Sequence, residues 1–133
     1  MPWLGPLKIK VQLYCSEERA FGPGRADLLE AIDRAGSISA AGRALGMSYR
    51  YTWLLVDSMN RCFAEKLVEA TAGAGRRSGA TLTDFGREVL AAYRRIEGDI
   101  ARAADGADLA ALRARLRPEP LPPHHGKALP AED

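Results

Sequence analysis

The chain has few of the residues that mark secreted, membrane and disulfide-rich proteins. Its 133 residues include only two cysteines, Cys15 and Cys62, with no short metal-ligand spacing between them. Two cysteines do not make a disulfide framework, so we expect structural thiols in a reducing cytosol. Residues 1–7 lack the apolar run of a signal peptide, and no stretch approaches the length of a membrane span. These absences favour a cytoplasmic protein with no membrane partner.

The sequence also lacks a catalytic or metal-binding arrangement. Both histidines, His124 and His125, lie in a proline-rich segment with no further ligand nearby. The carboxylates of Asp57, Asp84 and Glu88 show no spacing that would pair them for acid–base chemistry. Because a zinc site needs three or four suitable ligands, the two histidines alone are insufficient. We therefore expect no enzyme, no cofactor and no metal.

The spacing of apolar residues predicts a mainly α fold that begins with one strand. Strict alternation from Lys8 to Cys15 predicts a half-buried N-terminal strand. The run Phe21–Gly24 predicts a turn, followed by a helix over Gly24–Ala35 that ends at Gly36. Asp27 is expected early in this helix, where a negative charge interacts favourably with the helix dipole.

The most informative segment, Gly36–Trp53, predicts two helices joined by a tight turn. Ser39 is expected to cap the first helix, Gly46 to end it in a left-handed conformation, and Ser48 to cap the second. The second helix has a predicted buried stripe at Thr52, Val56, Met59 and Phe63. This pattern is typical of a helix-turn-helix, whose second helix enters the DNA major groove.

Two strand-like runs follow and predict a wing. Leu67–Ala70 and Ala80–Thr83 flank a glycine-rich loop that contains Arg76 and Arg77. Thr83 is then expected to cap a long helix, Asp84–Ala104, of about 30 Å. The apolar stripe of that helix comprises Phe85, Val89, Leu90, Tyr93, Ile96 and Ile100. This stripe is longer than one core needs, so we expect part of it to contact a second copy of the chain in a homodimer.

The chain is therefore expected to consist of two parts. Residues 1–104 form a DNA-binding domain with its dimerisation helix 84–104. Residues 105–133 form a short helix, within 107–117, and a proline-rich tail without regular structure.

Double-stranded DNA is the expected partner, and the first turn of the second motif helix is expected to read it. Arg50 can donate two parallel hydrogen bonds to a guanine, a contact that contributes about 1–3 kcal/mol of discrimination. Tyr49 and Tyr51 can bind phosphates or thymine methyl groups, although Tyr51 packing inward is the alternative. Trp53 is expected to seal the edge of the core. The complete set of predicted DNA contacts is Ser37, Ser39, Arg43, Ser48, Tyr49, Arg50, Tyr51, Leu54, Arg76, Arg77 and Thr83.

The formal net charge of +2 permits this function without requiring it. A module of the same fold that binds another protein, and no DNA, therefore stays open as an alternative.

Several motifs together are specific to one family. The runs Phe21–Ile32, Gly36–Ala41 and Met47–Arg50, with Trp53, Asp57 and Met59–Asn60, resemble the DNA-binding domain of the molybdate-responsive ModE-type transcription regulators. That domain is similar to the N-terminal winged helix of the LysR-type regulators. The resemblance covers about residues 8–100 and implies a winged helix-turn-helix that dimerises on an inverted-repeat operator.

The chain departs from this family at three points. Thr52 stands where the family usually has alanine, and the wing has fewer glycines and two added arginines. Full-length members continue into molybdate-binding barrels, for which the sequence to Asp133 has no room. We therefore expect a regulator without the molybdate-binding domain and without molybdate binding.

Overall fold

The structure is a computed structural model that describes residues 3–72 and 78–124, with residues 72 and 78 described by their backbone alone. Five helices and three antiparallel hairpins follow one another along the described chain. The strands are β1 (Trp3–Leu4), β2 (Leu7–Lys8), β3 (Leu13–Cys15), β4 (Glu18–Phe21), β5 (Val68–Ala72) and β6 (Ser78–Leu82). The helices are α1 (Pro23–Ala35), α2 (Ile38–Ala44), α3 (Tyr49–Cys62), α4 (Asp84–Ala104) and α5 (Ala107–Arg115). The predicted mainly α composition is confirmed.

The predicted single strand from Lys8 to Cys15 is wrong. Residues 9–12 belong to no strand, and the two ends of the segment belong to separate hairpins, β1–β2 and β3–β4. Leu13 and Cys15, which the alternation assigned to the buried face, are exposed, because the chain turns back after Cys15 to pair with Glu18. The carbonyl of Val11 instead accepts a 2.6 Å hydrogen bond from the Tyr93 hydroxyl on α4.

The three central helices are delimited by their caps. Gly36 ends α1 with φ of 72°, and Gly46 in the turn after α2 has φ of 70°, both in the left-handed region. The predicted cap of α2 at Ser39 is wrong, since Ser37 has the extended backbone and accepts a 2.9 Å hydrogen bond from the Ala40 amide. Ser48 caps α3 as predicted, accepting from the Tyr51 amide at 3.1 Å.

Helices α2 and α3 approach closely at one glycine. A Cβ placed on Gly42 would lie 2.3 Å from Oγ1 of Thr52, which is fully buried. The same hydroxyl donates a 2.7 Å hydrogen bond to the Ser48 carbonyl, which satisfies the buried polar group. Thr52 thus fills the space that a glycine leaves on the facing helix.

The core lies beneath α1, α3 and the β5–β6 hairpin. At its centre, the ring of Phe21 packs edge to face against two other rings, with ring centroids 4.9 Å apart for Tyr93 and 6.1 Å apart for Phe63. The hairpin is attached to the end of α1 by a 2.9 Å hydrogen bond from the Ala80 amide to the Gly36 carbonyl. The largest fully buried side chains are Tyr93, Phe21, Leu28, Leu29, Ile32, Met59, Leu67 and Thr52.

Helix α4 packs against α1 through an ionic network. Arg94 pairs at 2.9 Å with each of the carboxylates of Asp27, Glu30 and Glu97. Asp27 lies in the second turn of α1, so its partner is this guanidinium rather than the helix dipole that the sequence suggested. Thr83 caps α4 as predicted. Among the described residues, no helix combines the length and apolar character needed to cross a bilayer.

Candidate nucleic-acid interface

The N-terminal half of α3 is open to solvent on one side. Tyr49, Tyr51 and Leu54 are 66%, 52% and 53% exposed, and Ser48 and Arg50 are exposed beside them. We call these five residues the α3 tip. The opposite side of the same helix is buried at Thr52, Leu55, Val56, Ser58 and Met59. Tyr51 also lines a cavity beside the start of α1, but about half of its surface stays exposed, so it does not pack fully inward and the tip is available to a partner.

Arg50 differs from the other arginine of α3 in its ionic environment. Arg61 pairs with Glu18 and with Asp57, each at 2.8 Å. Its guanidinium and the Ser58 hydroxyl, which donates to Glu18 at 2.7 Å, hold the pKa of the Glu18 carboxyl below its ordinary value. Arg50 has no ion pair or side-chain hydrogen bond within the described part of the chain. Its guanidinium therefore retains all its donors for an external acceptor.

Aromatic side chains surround Arg50. The rings of Tyr49 and Trp53 lie 6.1 Å apart at 58°, and both border an open concave surface with Arg50, Leu54 and Asp57. Trp53 is 40% exposed and also lines a second cavity beside Val56, so it covers the edge of the core on one side only. Aromatic and apolar groups beside a free guanidinium suit a groove that presents both methyl groups and hydrogen-bond acceptors.

The other predicted contacts differ in how far the structure leaves them free to bind a partner. The hydroxyls of Ser37 and Ser48 accept from backbone amides, so each can still donate its proton. The Thr83 hydroxyl accepts from the Gly86 amide at 2.9 Å and donates to the Lys66 carbonyl at 2.7 Å, which commits it to internal bonds. Arg43 is exposed at the end of α2, and Ser39 is half-buried within α2. The predicted wing contacts Arg76 and Arg77 lie outside the described residues, as does His125, which was not predicted to contact DNA.

Two side-chain contacts that the sequence did not reveal, one local and one long-range, fix α3 in place. Oδ1 of Asn60 accepts from the amides of Leu67 and Val68 at 2.9 and 3.2 Å, and its Nδ2 donates to the Val68 carbonyl. These bonds attach the end of α3 to the start of β5. Ser58 is bonded to Glu18 on β4, forty residues away, a separation over which no local pattern exists.

No protein-family model matches the chain. Curated relatives do match it over about 60% of its length. The chain is 41% identical over 86 residues to "Molybdenum transport protein ModE" of Azotobacter vinelandii, covering 65% of the chain and 32% of that protein. It is 44% identical over 81 residues to "Molybdenum-pterin-binding protein MopB" of Rhodobacter capsulatus, covering 61% of the chain and 30% of that protein. It is 32% identical over 87 residues to "DNA-binding transcriptional dual regulator ModE" of Escherichia coli K12, covering 65% of the chain and 31% of that protein.

Over this stretch the chain is similar in sequence to ModE proteins. The resemblance to ModE-type regulators that the motifs indicated is confirmed. The matched segments span about a third of the curated relatives' own length. The names of these ModE and Mop relatives describe regulators, a transport protein and molybdenum-pterin-binding proteins, and none describes an enzyme.

Proposed function

We propose that the chain is a DNA-binding transcription regulator of the ModE kind, folded as a winged helix-turn-helix. Helices α2 and α3 are the helix-turn-helix, and the β5–β6 hairpin is the wing. The observation that carries the proposal is the α3 tip, an exposed aromatic and polar surface around Arg50, which has no ion pair or side-chain hydrogen bond to any residue that the structure describes. The name of the Escherichia coli relative, which describes a DNA-binding regulator, supports it.

The tip divides into groups that read bases and groups that hold phosphates. Arg50 donates to a guanine edge, while Tyr49, Tyr51 and Leu54 contact neighbouring bases and the thymine methyl. Ser48 and Ser37 donate hydroxyl protons to phosphates, and the Arg43 side chain reaches the same backbone. In the wing, Arg76 and Arg77 contact phosphates or the minor groove. Thr83 supports the wing from within through its two internal bonds.

The operator is an inverted repeat bound by a homodimer. Helix α4 continues beyond the ring of Tyr93 that joins it to the core, and its next apolar residues, Ile96 and Ile100, are each 40% exposed. These two residues are one turn apart, so they lie on one face of the helix. A second copy of the chain covers this face and places two α3 tips about one duplex turn apart.

DNA binding by this chain needs no molybdate and takes place in the cytoplasm. Molybdate added to the purified protein should leave the dissociation constant for DNA unchanged, and equilibrium dialysis should detect no uptake. A change in DNA affinity on addition of molybdate would contradict this part of the proposal.

The test is selection of duplexes from a random pool, followed by gel shift at fixed, low salt. We expect an inverted repeat to be enriched. Arg50→Ala should weaken binding to it about 5- to 150-fold, equivalent to about 1–3 kcal/mol, and relax the preference at one base pair. Arg117→Ala, which removes an exposed arginine from the segment after α5, is the matched control.

Two results would contradict the proposal. If micromolar protein retards no duplex at low salt, the chain is a protein-interaction module instead. If Arg50→Ala weakens specific and random duplexes equally, Arg50 holds a phosphate and does not read a base.

A further inference from the structure

A small cavity of about 90 Å³ opens beside the α3 tip, where α1 begins. Its lining includes Gln12, Arg19, Gly24, Arg25 and Tyr51. Neither Arg19 nor Arg25 is among the DNA contacts that the sequence predicted. Tyr51 belongs to both surfaces, so the cavity and the tip are continuous.

The start of α1 leaves backbone donors without a partner. The N-cap residue Gly22 has no side chain to accept from them, and the first turn contains no acidic residue. Pro23 has no amide proton, so the free donors are the amides of Gly24 and Arg25. Gly24 is exposed, and nothing lies within 4 Å of the position of a Cβ on it. An anion can therefore approach these amides, which the helix dipole also favours.

Arg25 is a partly buried cation that forms no ion pair with any described residue. Its Nε has no exposed surface and no hydrogen-bond partner within the described part of the chain. Burial and the neighbouring Arg19 both lower the pKa of Arg25. Arg19 is exposed at the same cavity, and an anion placed between the two guanidinium groups would offset both their mutual repulsion and the lost hydration of Arg25.

We propose that Arg25, Arg19 and the free amides of α1 bind one phosphate of the DNA backbone next to the strand that α3 reads. The cavity has room for a phosphate group and is too small for a nucleotide or an organic ligand of similar size. Its continuity with Tyr51 places that phosphate beside the bases contacted by the tip. The inference depends on the proposed DNA-binding function and adds a contact that fixes the depth and angle of α3 in the groove.

The experiment measures the dissociation constant of the selected duplex by fluorescence anisotropy over a range of salt concentrations. For wild type, the logarithm of the binding constant should fall linearly with the logarithm of salt. Losing one phosphate contact should make the slope shallower by about 0.9. We expect this change in Arg25→Ala, with weakening of about 5- to 20-fold on specific and random duplexes alike.

Arg34→Ala is the matched control, since it removes an exposed arginine from the last turn of the same helix. Because Arg25 is partly buried, its variant is checked for an unchanged circular dichroism spectrum. A second measurement avoids mutation of the protein: each phosphate of the duplex is replaced in turn by a neutral methylphosphonate. One position should weaken binding to wild type and have no further effect on Arg25→Ala.

The inference is overturned if Arg25→Ala has the same salt slope as the wild type, or if it has the same pattern of methylphosphonate effects. In either case the proposed function still stands, because the wild type binds the selected duplex. Binding of inorganic phosphate alone, without a change in the DNA slope, overturns it as well. Wild type that binds no duplex removes both proposals at once.

Discussion

Gly42→Ala tests whether the close contact between α2 and α3 sets the geometry of the motif. The added methyl would lie 2.3 Å from Oγ1 of Thr52 and 3.0 Å from its Cβ and Cγ2. Thr52 is β-branched and fully buried, so it has no free rotamer to move into and the helices must separate. Overpacking of this kind costs about 1–3 kcal/mol. Alanine is favoured over glycine in a helix by about 1 kcal/mol, so we expect a net loss of up to about 2 kcal/mol in the free energy of unfolding.

The double variant separates the clash from any other effect of the substitution. Thr52→Ala alone loses the 2.7 Å bond to the Ser48 carbonyl and should cost about 1 kcal/mol. In that background the added methyl still lies 3.0 Å from the Cβ of residue 52, but the closest contact, at 2.3 Å, is gone, so Gly42→Ala should cost less than in the wild type. Urea denaturation followed at 222 nm gives all four free energies and the coupling between the two positions, which we expect to be about 1–3 kcal/mol. Equal costs of Gly42→Ala in both backgrounds would refute the reasoning.

Two further predictions concern pH and association. The pKa of the Glu18 carboxyl is lower in the folded than in the unfolded chain, so the ionised carboxylate stabilises the fold above pH 4.5, the ordinary pKa, and this contribution is lost as the pH falls through the folded pKa. Glu18→Gln should therefore flatten the acid side of the curve of melting temperature against pH. A curve identical to that of the wild type would contradict this. Ile96→Glu should convert the proposed dimer to a monomer in analytical ultracentrifugation. Leu121→Glu is the control and should leave the dimer intact, because Leu121 is an apolar residue that lies outside the helices and is 65% exposed. A monomeric wild type would rule out the dimer.

The helices could be predicted from the sequence because their limits depend on local chemistry. Gly36 and Gly46 supply left-handed residues, and Ser48 and Thr83 supply caps to amides three residues on. The error at Ser39 arose because two serines precede the same apolar face, and only the backbone conformation after Gly36 decides which of them remains extended.

The N-terminal hairpins could not be predicted in the same way. Alternation reports which side chains share a face, and it contains no information about which strand supplies the hydrogen bonds. Leu13–Cys15 pairs with β4, whereas Val11 bonds to Tyr93, 82 residues further along the chain. The partner of the site's neighbouring arginine, Arg61, was hidden for the same reason, since Glu18 lies on β4.

The distribution of ion pairs explains why net charge did not discriminate between a DNA partner and a protein partner. Many of the acidic residues are used within the fold: Arg61, Arg87 and Arg94 together take up six carboxylates on α1, α3, α4 and β4. No such pair forms, within the described residues, at four arginines that lie at or near the exposed end of the motif: Arg19, Arg25, Arg43 and Arg50. The formal net charge of +2 counts all 19 basic and 17 acidic residues alike, whether paired or not, so it does not show where the unpaired arginines lie. A phosphate backbone responds to the local field and not to that average, so the positions of the unpaired arginines favour DNA where the total charge favoured neither partner.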